Sequence, residues 1–116
     1  MIGKGVKDLV ETEVSIETIA DTLKLLSDKT RLTIVALLKE REMCVCDIVD
    51  ILETTQPNIS QHLRKLKAGG IVNEARRSQW IYYSLNVNDK PYLRDILMQL
   101  PSMSDKINDQ KPNSCC

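Results

Sequence analysis

Apolar residues recur at helical spacing through most of the chain. Ile16, Ile19, Ala20, Leu23 and Leu26 form one stripe, and Ser15 ahead of them suits an N-cap. Ser27-Asp28 opens a second helix, whose Leu32, Ile34, Val35, Leu37 and Leu38 give a broad apolar face as far as Glu40. A short helix is also expected over residues 6–12. Residues 46–52 read as a third short helix, with Ile48, Val49, Ile51 and Leu52 apolar. Glu53-Thr54-Thr55 then breaks the pattern and Gln56-Pro57 restarts it, because proline suits a first helical turn. Ile59, Leu63 and Leu66 mark the buried face of this next helix, and Gly69-Gly70 stops it. Two short helices with a tight break predict a helix-turn-helix.

The period changes from there. Residues 71–74 and 80–85 have strand character, with Trp80, Ile81, Tyr82 and Tyr83 the most β-prone. Arg76-Arg77-Ser78-Gln79 lies between them, which predicts a β-hairpin with a basic tip. A last helix is expected over 90–100 through Leu93, Ile96, Leu97 and Leu100. An apolar helix at each end offers a pairing surface for a homodimer. The predicted class is mainly α with one β-hairpin, a winged helix-turn-helix. Residues 1–100 form that unit, and residues 101–116 form a flexible tail rich in Ser, Asp, Asn and Pro that ends in cysteines.

Composition narrows the picture. A chain of 116 residues, 42% hydrophobic and 28% charged, suits one compact domain. With 3% aromatic residues and no Phe, the core must be aliphatic, which favours helices. The first fifteen residues hold no signal-peptide core, and no apolar run approaches the ~18 residues of a membrane span, so a cytoplasmic protein without membrane contact is expected.

Sixteen Lys and Arg balance sixteen Asp and Glu, so only their distribution can inform on nucleic acid. Between residues 56 and 83 stand Arg64, Lys65, Lys67, Arg76 and Arg77 against Glu74 alone, leaving this segment at +4 and the rest at −4. The segment covers the second helix of the helix-turn-helix and the hairpin, the parts of a winged helix that face phosphates. Gln56, Asn58, Ser60, Gln61, His62, Arg64 and Lys65 are the candidate DNA-contacting residues of the helix, and Arg76, Arg77, Ser78 and Gln79 those of the wing. Amides, hydroxyls and guanidinium groups can read base edges, and lysines can hold phosphates. His62, the one histidine, is expected to pack or to touch a phosphate, since a lone histidine makes no metal site.

Four cysteines occur, as Cys44-Val45-Cys46 and Cys115-Cys116. Such spacing makes a poor disulfide framework, and free thiols are expected. Two positions apart on a regular helix, the Cys44 and Cys46 side chains would point about 200° apart, so both reach one ion only if the first turn is not helical. Thiolates suit soft ions: As(III), Sb(III), Cd(II), Pb(II), Hg(II) or Zn(II). An ordinary reading also exists, in which Cys44 stands where Ser would cap the helix and the thiols pack as small hydrophobes. The tail beyond Pro101 could extend roughly 45 Å, enough to bring Cys115 or Cys116 to Cys44 in either subunit of a dimer.

Over residues 16–100 the chain resembles the ArsR/SmtB family of metal-sensing winged-helix repressors. The resemblance rests on Leu25-Leu26-Ser27-Asp28-Lys29-Thr30-Arg31-Leu32, Met43-Cys44-Val45-Cys46-Asp47-Ile48, Gln56-Pro57-Asn58-Ile59-Ser60-Gln61-His62-Leu63 and Ile81-Tyr82-Tyr83-Ser84-Leu85. It implies a homodimer, paired through its first and last helices, that sits on an inverted-repeat operator and leaves it when an inducer binds. The Cys-Val-Cys-Asp run looks like that of the arsenic, antimony, cadmium and lead sensors. Two departures bear on the ligands: Val49 stands where some arsenic sensors have a third cysteine, and the N-terminal arm has none. The third donor must come from elsewhere, and a tail ending in paired cysteines is similar to that of some arsenic-responsive members. The zinc site that other members carry on the last helix has no counterpart, because that helix lacks histidine.

The expected function is therefore repression of an arsenic-resistance operon. As(III) or Sb(III) is the inducer, held by Cys44 and Cys46 with Cys115 or Cys116. A Cd(II)/Pb(II)-responsive or redox-responsive repressor of the same fold is the alternative. A thiol reductase would want CxxC on a βαβ framework, and neither is present. No paired carboxylates, phosphate loop or Ser/His/Asp set stands out, so no enzyme is expected.

Overall fold

The computed structural model describes residues 15–108. Helix α1 spans Ile16–Leu26, and Ser15 caps it by accepting the Thr18 N–H at 3.1 Å. Helix α2 spans Lys29–Glu40, and its cap is Asp28, whose carboxylate accepts the Arg31 N–H at 3.0 Å. Five consecutive residues of α2, Ile34 to Leu38, are buried. A helix covered all round is a central one, and α2 has the wing strands, the helix-turn-helix and α1 packed about it.

Strand β1, Met43–Cys44, leads straight into α3, Val45–Leu52. Helix α4, Gln56–Ala68, follows after a short turn, with Thr55 as N-cap and Pro57 in its first turn. Ile59, Leu63 and Leu66 are its buried face, as their spacing predicts. At the end of α4 the backbone of Gly69 lies against the Leu25 side chain of α1, so a Cβ there would collide with it. Gly70 takes φ +75, a conformation that favours glycine.

Strands β2 (Val72–Arg77) and β3 (Trp80–Leu85) form the wing, and β1 joins β3 to give an antiparallel sheet in the order β1-β3-β2. The register pairs Arg77 with Trp80 and Arg76 with Ile81. The four-residue basic tip expected from the sequence is thus a two-residue turn, Ser78-Gln79, with both arginines inside β2. Cross-strand pairing with the bulky side chains of β3 extends the strand through them.

The wing is tied back by Lys90, whose buried ammonium donates to the Gly70 carbonyl at 2.9 Å and to Asp89 at 3.1 Å. Helix α5 spans Tyr92–Gln99. Beyond it, inside the segment expected as tail, a further short helix α6 covers Ser104–Asn108. Met103 and Ile107 pack against the core, and the Met103 N–H donates to Glu40 at 3.0 Å. Two apolar anchors are enough to dock a polar segment. The helix expected over 6–12 and the tail cysteines lie outside the described residues.

Candidate DNA interface and thiol site

The helix-turn-helix is closed by Glu53, which takes a left-handed conformation (φ 53, ψ 53) at the end of α3. On α4, Gln56, Asn58, Gln61, Arg64 and Lys65 are exposed, while Ser60 and His62 are half-buried. Arg64, Lys65 and Arg76 hold no ion pair among the described residues. Asn58 is oriented by Thr54, to whose hydroxyl its amide donates at 3.1 Å.

His62 is fixed from behind. Arg31 donates through Nε to the Leu25 carbonyl at 2.7 Å and through one NH group to His62 Nδ1 at 3.3 Å. A guanidinium can only donate, so Nδ1 is the acceptor in this contact. Arg31 therefore links the end of α1 to His62 of α4. Sequence reading missed Arg31 as its partner, because the two are thirty-one positions apart.

The basic count does not translate directly into free charge. Lys67 is ion-paired with Glu74, which also accepts the Tyr83 hydroxyl at 2.9 Å. The Lys67 contact first, and the Tyr83 hydroxyl second, hold the Glu74 carboxyl below its usual value. Burial, reinforced by the bond to Glu74, pushes the Tyr83 phenol up to about 12. Arg77 grips Glu42 with both of its NH groups at 2.7 Å and lies 4.9 Å from the centre of the Tyr82 ring. Two of the five cations in the segment thus lock the wing to α4 and to the residue before β1. Ser78 and Gln79 are exposed at the wing tip, with Ser78 at φ 62.

The thiol site lies against this wing. Cys44 is buried and extended (φ −90, ψ 169), occupies the N-cap position of α3 without a side-chain cap hydrogen bond, and pairs with Tyr82 of β3. Cys46 sits in the first turn of α3 and is half-buried. The 200° separation of two helical positions does not apply to this pair, because Cys44 is extended while Cys46 is helical. Both are disulfide-bonded, and no cysteine among the described residues is free, so the expected thiols are cystines in this structure. A sulfur close enough to another to bond with it is close enough, once reduced, to share a soft ion with it. No group of three or more His, Cys, Asp or Glu among the described residues could hold a metal. Cys44 and Cys46 are thus the donors that this region offers, and Cys115 and Cys116 lie outside it. No helix among the described residues is long and apolar enough to cross a membrane.

Comparison with known proteins agrees with this architecture. The model of the bacterial regulatory protein arsR family matches residues 28–74, from the α2 cap into β2. The arsenic resistance transcriptional regulator ArsR1 of Pseudomonas putida is 44% identical over 64 residues, covering 54% of this chain and 50% of that one. The chain thus spans about half the length of this relative. ArsR2 of the same organism is 37% identical over 78 residues, 66% of this chain and 68% of the relative. Among solved structures, the homodimeric winged helix-turn-helix DNA-binding domain of Mb0332 from Mycobacterium bovis superposes with a TM-score of 0.64 at 28% identity, covering 72% of this chain and 77% of that one. With two short helices and a paired wing in the expected order, and relatives matched across them, the chain belongs to the ArsR family of DNA-binding transcriptional regulators, a family of winged helix-turn-helix proteins and not of enzymes.

Proposed function

We propose that this protein represses an arsenic-resistance operon and leaves its operator when As(III) or Sb(III) is bound by Cys44 and Cys46, with Cys115 or Cys116 as third thiolate. One observation carries the reading: the two cysteines straddle the junction of β1 and α3, so the first is strand-paired to the wing at Tyr82 and the second begins the helix-turn-helix. Drawing both sulfurs onto one ion acts at once on the two elements that would touch DNA. Thiolates are the ligands such soft ions prefer. The names of the relatives, arsenic resistance regulators, agree with that choice.

The operator-bound form is a homodimer on an inverted repeat, paired through α1 and α5. Exposed Ile16 and Leu23 on α1 and Met98 on α5 supply its apolar face. Two α4 helices must then match half-sites about 34 Å apart, so a small displacement at the base of each lowers affinity by losing register. Inducer and DNA weaken each other by the same factor.

The test is fluorescence anisotropy on the DNA upstream of its own gene, in reducing buffer at fixed salt. Release by As(III) and Sb(III), lost in Cys44→Ser and Cys46→Ser variants that still bind DNA, is expected. Release of the doubly substituted protein by As(III) would overturn the ligand assignment. A redox-responsive repressor is the second reading, favoured by the cystine state of Cys44 and Cys46. It predicts that an oxidant releases the protein and that no metalloid does. Release by Cd(II) or Pb(II) alone would instead change the ion and leave the thiol site in place.

A further inference from the structure

A cleft of about 530 Å³ opens beside the helix-turn-helix, lined by Lys29, Thr30 and Thr33 of α2, Leu52 at the end of α3, Thr54 of the turn, Asn58 of α4, and Met103 and Lys106 from the C-terminal segment. Among the described residues, its lining holds two ammonium groups and no carboxylate. Neither lysine has an ion pair among the described residues. Asp28, next in sequence to Lys29, is turned to the Arg31 N–H as the cap of α2.

The lysines come from positions far apart in sequence, and the fold puts them on one cleft deliberately enough to be traced. Lys39 Nζ donates to the carbonyls of Leu97 and Leu100 at 3.3 and 3.2 Å, which holds the end of α5 on α2. Glu40 accepts the Met103 N–H, and Met103 and Ile107 reach the core. The segment is thereby laid back along α2, with Lys106 facing the cleft that Lys29 also lines.

The remaining polar groups are suited to an oxyanion. Thr54 accepts from the Asn58 amide at 3.1 Å, which leaves its own hydroxyl proton to donate. Thr30 adds a second hydroxyl, whereas Thr33 spends its proton on the Lys29 carbonyl at 2.7 Å. Two cations brought together with no counter-charge repel each other until an anion binds between them.

We propose that this cleft is a phosphate site: Lys29 and Lys106, with the Thr30 and Thr54 hydroxyls, hold a DNA backbone phosphate beside the first turn of α4. The proposal rests on the DNA-binding reading above and adds an anchor outside the recognition helix and the wing. Each phosphate neutralised contributes a slope of about −0.9 to the dependence of log K on log salt.

The test measures operator affinity across salt concentrations for the wild type, Lys29→Ala, Lys106→Ala and the double variant. Lys24→Ala, an exposed α1 lysine outside the cleft, is the control. Because each subunit of the dimer loses its phosphate contact, each cleft variant is expected to make the slope shallower by about 1.8 and to weaken binding about thirtyfold near 0.15 M salt, the double variant no further, while the control changes neither. Slopes equal to the wild type overturn the DNA-backbone assignment. Inorganic phosphate, titrated into the DNA-free protein, separates the other source. Amide shifts in α2 and α6 that Lys106→Ala abolishes, together with unchanged slopes, would reassign the site to a free oxyanion. No shifts and no slope change would overturn it altogether. Failure here is distinguishable from failure of the repressor reading, because the wild type must first bind the operator, and metalloid release concerns only the cysteines.

Discussion

At the scale of single residues, the structure is most informative where a side chain does something its type does not announce. Glu53 is one such case. The turn of the helix-turn-helix requires a left-handed residue at the end of α3, and this position favours glycine or asparagine. An L residue with a Cβ adopts that conformation at a cost of about 1 to 2 kcal/mol. Glu53→Gly is therefore expected to stabilise the fold by roughly 0.5 to 1 kcal/mol, after the greater freedom of glycine in the unfolded chain is subtracted. Urea unfolding checks this: the midpoint should rise with an unchanged m-value, and a lower midpoint would mean that the glutamate side chain contributes more than its backbone costs. Arg31 and His62 make the same point for recognition, since the histidine of α4 is held in place by a guanidinium from α2.

At the scale of elements, the junction between β1 and the wing is the feature that connects the thiol site to DNA. Met43 pairs with Tyr83 and Cys44 with Tyr82, and the residue before them, Glu42, is held in a two-pronged contact by Arg77 of β2. Both partners are partly exposed, 35% for Glu42 and 56% for Arg77, so the pair itself contributes at most about 1 kcal/mol to stability. Its role is geometric: it ties the strand that carries Cys44 to the far end of the hairpin. Glu42→Gln is expected to leave folding nearly unchanged and to reduce the factor by which inducer weakens operator binding by about three- to tenfold, a share of the usual coupling energy. Anisotropy with and without As(III) reads that factor directly. An unchanged factor would show that the α3 displacement alone carries the response.

At the scale of the whole molecule, the exposed apolar residues need a partner. Ile16 is 83% exposed and Met98 72% exposed, on α1 and α5. Replacing both, as Ile16→Asp with Met98→Lys, is expected to yield a folded monomer by sedimentation. Its operator affinity should fall by at least tenfold, because two linked half-site contacts become independent ones. A variant that remains dimeric would place the pairing surface elsewhere.

Much of this architecture could be read without coordinates, and the reason is periodicity. The Ile59, Leu63 and Leu66 stripe, the Ser15 and Asp28 caps, the Pro57 restart and the Gly69-Gly70 stop are local signals, each decided by residues within a turn or two. The winged helix-turn-helix order follows from them, and the place of Cys44 and Cys46 at the start of α3 follows from their adjacency in the chain. What only the tertiary structure decided are the partners brought from a distance. The two-residue strand at Met43 and Cys44 exists because β3 pairs with it, since two residues carry no strand pattern of their own. Which cations are free to meet phosphate depends on Glu42 and Glu74, and charge counting cannot foresee that these carboxylates reach Arg77 and Lys67. The same holds for Lys106, which the polar composition after Leu100 suggested was tail. Two apolar side chains and the hydrogen bonds from α2 place it on the cleft instead. Local chemistry is written in neighbouring residues, whereas the meeting of charges across the fold depends on the path of the backbone between them.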